Sequence, residues 1–464
     1  MKKHNPTIGG VIAAAGTRRM GGLDVINPKA AGLDLHKEVI WVCAPAGAGD
    51  PNPPTRHFGT LTKDLRALSA WLKEKDVDTV AMEATGVLWM PVVDHLMSEG
   101  FEVLLVNARD VRSVKGRPKT DRLDCEWIRR LHACGLLRGS FIPDMATAGL
   151  KTLWRQRSNL EAEASRHTQR MQKHLQIMNI RLDVAVTDIV GVTGLRILDS
   201  MAGGERDPLV LAKLRDERVA KSEREVGEAL DGNFRDDLVF VLRECLLQYR
   251  FVQERIAELD KFIDKTMAKM GRRASGGDAP PSSKADKRSG HVGPFTRERL
   301  FELLGVDLTQ VEGVGILTAV SFLVNTGGNM SAWPTGGHFA SWLGLSPNAR
   351  DSGGKSRHGA TRKTASALAA SLRMAAMTIS RLDSWLGAFC RRLKARIGAP
   401  KAITATARKL AEILYHMVKD RTDAKHLDAS AYEAAHRERT LKNLKRRAAG
   451  YGFELTPAKA AAEG

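Results

Sequence analysis

Short apolar runs at 40–43, 79–82 and 101–106 alternate with amphipathic stretches, and this alternation constrains the fold of the first third of the chain more than any other feature. AAGLDLHKEVIWVCAP, residues 30–45, reads as a strand, with β-formers at Ile40, Trp41 and Val42 between small residues. In LTKDLRALSAWLKEKD, residues 61–76, Leu61, Leu65, Leu68 and Leu72 recur at steps of four and three, one face of a helix. DTVAMEATG then reads as a short buried strand, PVVDHLMSEG as a helix closed by Gly100, and FEVLLVN as a third strand. After RSVKGRPKT a helix begins near Thr120. Strands alternating with helices predict an α/β domain over 28–145.

The rest reads as helical. Residues 146–270 hold two long stretches, the second, about 219–270, with heptad-like apolar positions in FVLRECLLQYRFVQERIAELDKFID. A coiled coil, antiparallel or between chains, and an ordinary helical hairpin both satisfy that pattern. Residues 271–295 are rich in glycine, serine, proline and charge and predict a disordered linker. An all-α domain follows over 296–425, then a helical, basic tail over 426–464. Residues 1–27 read as a flexible basic arm, since the apolar stretch there is too short and glycine-interrupted for a secretory signal.

Lysine and arginine total 72 against 53 acidic residues, a formal charge of +19, which favours a polyanionic partner. With no apolar run of about eighteen residues, no membrane span is expected. The five cysteines are scattered without a CxxC pair, which argues against a disulfide framework or zinc site and fits a reducing cytoplasm.

Four carboxylates stand at places where chemistry concentrates. Asp34 sits at the start of the first predicted strand, Glu83 ends the second, and Asp121 and Asp124 open a helix three residues apart, on one face. Acids converging from strand ends and an adjoining helix suit a divalent-metal phosphodiester site, Mg²⁺ or Mn²⁺. The plainer reading of Asp121 and Asp124 is that first-turn acids complement the helix dipole, with Thr120 as N-cap.

Two features of the C-terminal region stand out. LTQVEGVGILTAVSFL places Gly313 and Gly315 between two helical stretches, either a helix-hairpin-helix contact to a phosphate or a tight turn needing glycine. FASWLGL reads as a buried helix ending at Gly344, and the loop after it carries Arg350, Ser352, Gly353, Gly354, Lys355 and Arg357. Ser352 is accessible beside two glycines, and the three cations suit a phosphate, whereas in isolation such a serine is an ordinary loop residue. The stretch from Ala365 to Leu393 reads as one later helix, with Met374 and Met377 in the core and Arg373 a candidate nucleic-acid contact against a solvated-face alternative.

GLDLHK, MEATG and KTDRLD, in this order and spacing, resemble the three motifs of the IS110-type transposases, and the similarity continues through TDIVGVTGLRIL, AGGERDPLVLAKL and PNARDSGGK. The resemblance implies a RuvC/RNase H-like N-terminal domain with metal ligands at Asp34, Glu83, Asp121 and Asp124. It also implies a nucleophilic Ser352 forming a covalent phosphoserine link, with Ser346 and Ser356 close by. Donor and target DNA, a structured guide RNA and a homo-oligomer, dimer or tetramer, are the implied partners. A metal-dependent nuclease or junction resolvase and a non-catalytic nucleic-acid-binding protein are the alternatives.

Overall fold

Residues 30–45 turn back on themselves. In the computed structural model β1 (Ala30–Leu35) and β2 (Ile40–Cys43) form an antiparallel hairpin, with Leu35 opposite Ile40. The single strand expected there is therefore two, because His36, Lys37 and Glu38 are a charged, exposed turn closed by the His36 N–H on the Val39 carbonyl, 3.0 Å. Asp34 consequently lies near the end of its strand, not at the beginning.

The structure describes residues 19–20, 23–46, 52–84, 86–107, 120–271, 273, 292–352, 355–362, 364, 366–424 and 429–456. Most of the expected arm and linker, Thr85, Gly353, Gly354 and the alanine-rich end lie outside these. The chain divides into two units, residues 1–142 and 143–464.

In the first unit, β3 (Thr55–Phe58), β4 (Thr79–Glu83) and β5 (Glu102–Val106) complete a sheet ordered β3-β2-β1-β4-β5. β1 pairs antiparallel with β2 and parallel with β4, and β4 pairs parallel with β5. Helices α1 (Thr62–Glu74) and α2 (Trp89–Ser98) cover one face, sharing a core of Leu33, Leu68, Leu72, Met82, Val93 and Leu96. Each of these larger side chains contributes about 1.5–3 kcal/mol on burial. Leu61, expected on the buried face of α1, is instead exposed just before the helix, where its N–H donates to Asp64 Oδ2 at 3.2 Å.

The other face takes α3 (Asp121–Ala133), whose Thr120 Oγ1 accepts the Leu123 N–H at 3.3 Å as an N-cap. A Cβ on Gly32 would stand 2.3 Å from Arg129 N and 2.4 Å from Cys125 O. The missing side chain is what lets the helix backbone lie directly on β1.

In the second unit, α4 (Met145–Ile177) and α9 (Asp236–Lys269) form an antiparallel pair. Arg157 meets Asp260, Ala164 packs with Val252 and Ile256, and Met171 and Leu175 share a core with Leu242 and Leu246. Between them α5 (Leu182–Ala185), α6 (Val192–Ala202), α7 (Pro208–Ala212) and α8 (Glu223–Leu230) close that core. The helical stretch read as 219–270 is thus two helices, interrupted where Asp231–Gly232 brings the chain against the Met178 carbonyl.

The later helices are α10 (Arg297–Leu304), α11 (Ile316–Thr326), α12 (Gly336–Trp342), α13 (Ala367–Ile379), α14 (Trp385–Ile397), α15 (Ala399–Asp420) and α16 (Ala429–Gly450). The single helix expected around 365–393 is broken after Ile379, and Ser384 caps its second half by accepting the Gly387 N–H at 3.2 Å. Met374 and Met377 are not core: they are 63% and 44% exposed, because α13 buries its Leu368, Leu372, Ala375, Ala376 and Ile379 face. Trp333, Phe339, Trp342 and Tyr415 interlock with ring centroids 4.8–5.9 Å apart, and the Tyr415 hydroxyl donates to the Trp333 carbonyl at 2.6 Å.

Gly32→Ala should destabilise the first unit by at least about 1–3 kcal/mol through overpacking. Urea titration of the full chain measures it; an unchanged midpoint and slope would show that the helix is free to move away.

Candidate functional site

The close approach at Gly32 also decides where the acids meet. Gly32 and Asp34 are two residues apart on one strand and so share the face that α3 covers. Asp121 and Asp124 stand in the first turn of that helix. Ligand atoms of Asp34, His36 and Asp121 lie within 4.8 Å of one another. His36 Nε2 is 3.1 Å from Asp34 Oδ2 and 3.4 Å from Asp121 Oδ1, bridging the two carboxylates.

Asp34 is the half-buried member, its side chain 16% exposed against 53% for Asp121. Burial pushes its carboxyl above the ordinary range; His36 opposes this, and the charges of Asp124 and Asp121 push the same way as burial. Asp124 is therefore near enough to act on Asp34. Glu83 is the last residue of β4, one position beyond Met82, which pairs with Leu33 across the parallel ladder. That register sets Glu83 beside Asp34 along the same sheet edge, although Glu83 is outside the three-residue group.

These donors fit a divalent cation. Oxygen ligands about 2.1 Å from an ion can be at most about 4.2 Å apart, and the His36 separations from Asp34 and Asp121, 3.1 and 3.4 Å, fall within that span. Hard carboxylate oxygens on a desolvated strand end suit Mg²⁺ or Mn²⁺, and an imidazole nitrogen tilts such a set toward softer ions. Sequence reasoning missed His36. Its signal was the spacing, two residues after Asp34 in GLDLHK.

In the second unit the serine stretch is not a loop. β6 (Pro347–Ser352) and β7 (Lys355–Thr361) form an antiparallel hairpin, with Arg350 opposite Arg357 and Ser352 opposite Lys355. The pleat puts these four positions on one face of the ribbon. A two-residue Gly-Gly connection is a known hairpin signal, hidden here because both strands are polar and show no apolar alternation. The base is anchored to α12: Thr364 Oγ1 donates to the Leu343 carbonyl at 3.0 Å and Arg362 to the Trp342 carbonyl at 3.2 Å. Gly344, at φ +70°, ends that helix as the sequence predicts, and a Cβ there would strike Thr364 Cγ2 at 2.7 Å.

Gly313 has φ +74° and lies against α13, where a Cβ would meet Ile379 at 2.5 Å and the Ala375 carbonyl at 3.0 Å. Gly315 precedes α11 and has open space around it. The element before the glycines is one 3₁₀ turn, Leu308–Gln310, not the helix expected, because the backbone goes extended at Val311 and then takes a positive φ at Gly313. The tight-turn reading accounts for Gly313. Arg373 is half-buried on α13.

No helix among the described residues is long and apolar enough to cross a membrane. Residues 31–180 match a family profile for the DEDD transposase of IS110 type, described as a transposase, and residues 307–391 match one described as the transposase of the IS116/IS110/IS902 family. A search of curated proteins finds no match.

Mn²⁺ at ten times its Kd should stabilise the fold by about 1.4 kcal/mol, read as a rise in Tm. Asp34→Asn should abolish that rise, and a persistent rise would place the ion elsewhere.

Proposed function

The chain belongs to the IS110 family of transposases, enzymes that cut and rejoin DNA, and from that premise we propose that it works through carboxylate-held divalent metal and a covalent phosphoserine. The observation that carries the first half is the convergence of Asp34 and Asp121 on His36 at one sheet edge, with Asp124 acting electrostatically on Asp34. We read the first unit as RuvC/RNase H-like; its antiparallel meander continued by two parallel strands supports this. Asp34, Glu83, Asp121 and Asp124 hold the ion, Mg²⁺ or Mn²⁺, with His36 orienting Asp34 and Asp121. When bound, the metal neutralises charge on the scissile phosphate.

Ser352 is the nucleophile. Its oxygen bonds to phosphorus as the bond from phosphorus to the deoxyribose oxygen breaks; the serine proton passes to a base and the departing oxygen takes one up. Attack by a hydroxyl from the exchanged strand then reverses the step, so the phosphodiester is restored without outside energy. Arg350, Lys355 and Arg357 balance charge on the phosphate. The hairpin register, which groups these positions with Ser352, supports that role. Gly315, which has open space around it, and Arg373 are proposed backbone contacts, with Gly313 shaping the turn that presents Gly315.

Target choice through a structured guide RNA, action in the cytoplasm and assembly as a homo-oligomer complete the reading. Assembly draws support from Phe240, Leu247, Phe251 and Phe262, apolar residues 51–62% exposed that fall on one side of α9. If each catalytic centre joins acids of one subunit to the serine of another, mixing Asp34→Asn with Ser352→Ala subunits should restore exchange.

Ser352→Ala should remove a covalent protein–DNA adduct and slow strand exchange by at least about 10³-fold while leaving Mn²⁺ binding intact. Ser346→Ala and Ser356→Ala should keep the adduct. Continued DNA cleavage without any adduct would instead identify a hydrolytic nuclease. Phe251→Glu should lower the oligomeric mass seen by sedimentation, and an unchanged mass would remove α9 from assembly.

A further inference from the structure

Helix α16 (Ala429–Gly450) is difficult to explain as part of a folded core. Residues 437–447 are all exposed, so burial does not hold this half of the helix. A helix polar on nearly every side needs another source of stability, and a bound partner supplies one. The same eleven residues carry six cations, Arg437, Arg439, Lys442, Lys445, Arg446 and Arg447, against Glu438 alone. Among the described residues, Lys442, Lys445, Arg446 and Arg447 make no ion pair with a carboxylate.

The charge is also arranged. Arg439, Lys442 and Arg446 are spaced i, i+3 and i+7 and so form a single row along the helix. At 1.5 Å per residue the row is about 10 Å long, reaching about two phosphates of one DNA strand. The helix packs on α14 (Trp385–Ile397), which adds Lys394 and Arg396; Arg391 is paired with Asp383 at 3.8 Å, and the terminal guanidinium nitrogens of Arg392 are buried. At their junction His436 is held below its ordinary proton affinity by burial and by the charges of Arg392 and Arg439. The local field is positive.

We propose that the face built by α14 and the row Arg439, Lys442 and Arg446 of α16 is a docking surface for the backbone of duplex DNA. Contacts to phosphates fix register on the duplex but carry no sequence information, so a surface that meets only the backbone binds independently of sequence. DNA is the occupant because the family acts on it and because a row of exposed cations complements a line of phosphates.

The test is binding of the full-length protein to fluorescent duplexes of two unrelated sequences across a range of NaCl concentrations. The triple variant Arg439→Gln, Lys442→Gln, Arg446→Gln removes three exposed cations, and circular dichroism should show an unchanged melting point. The slope of log affinity against log salt should become shallower by about 1.8, the share of two phosphates, with about tenfold weaker binding to both duplexes. The charge-keeping variant Arg439→Lys, Lys442→Arg, Arg446→Lys should retain the wild-type slope. An equal charge change on α1, Lys63→Gln, Arg66→Gln, Lys73→Gln, should leave the slope near its wild-type value. An unchanged slope in the first variant would overturn the proposal. So would an equal loss in the α1 control, or a loss seen only with structured RNA.

Discussion

The candidate metal site depends on a helix backbone lying in direct contact with a strand. Gly32 makes this possible, since a Cβ there would overlap the main chain of Cys125 and Arg129. A small neighbour serves the same packing: Ala81 is buried without bulk on the adjacent strand and packs with Ile128 of α3. With any ordinary side chain at position 32 the helix would ride higher, and Asp121 in its first turn would move away from Asp34 and His36. Packing and chemistry are thus joined at one residue that carries no chemistry itself.

That arrangement is electrostatically costly without a cation. Asp34 is desolvated and stands near Asp121 and Asp124, and both effects disfavour its charged form. His36 offsets part of the repulsion from between two of the carboxylates. Like charges held together by packing are preorganised for a positive ion, because the fold has already met the cost of bringing them close.

The second unit uses a different device. A polar hairpin has no hydrophobic reason to hold its shape, so it is fixed at its base, where Gly344, Thr364 and Arg362 lock it to the end of α12. That helix packs into the cluster of Trp333, Phe339, Trp342 and Tyr415. Ser352 therefore belongs to an extended ladder rooted in a rigid aromatic core, not to a loop.

Read alone, the sequence determined the elements whose signals are local. Leucine spacing marked α1, an apolar run marked the strand ending at Glu83, and Thr120 announced the cap of the helix bearing Asp121 and Asp124. Glycine placed the end of α12. Only tertiary structure decided where β1 turns, that His36 joins the acids, that the serine segment is a hairpin, and that Met374 and Met377 face water. The reason is the range of the forces. Periodicity and capping act over a few residues and are written in neighbouring letters, whereas register and close approach depend on partners such as Gly32 and Arg129, nearly a hundred positions apart.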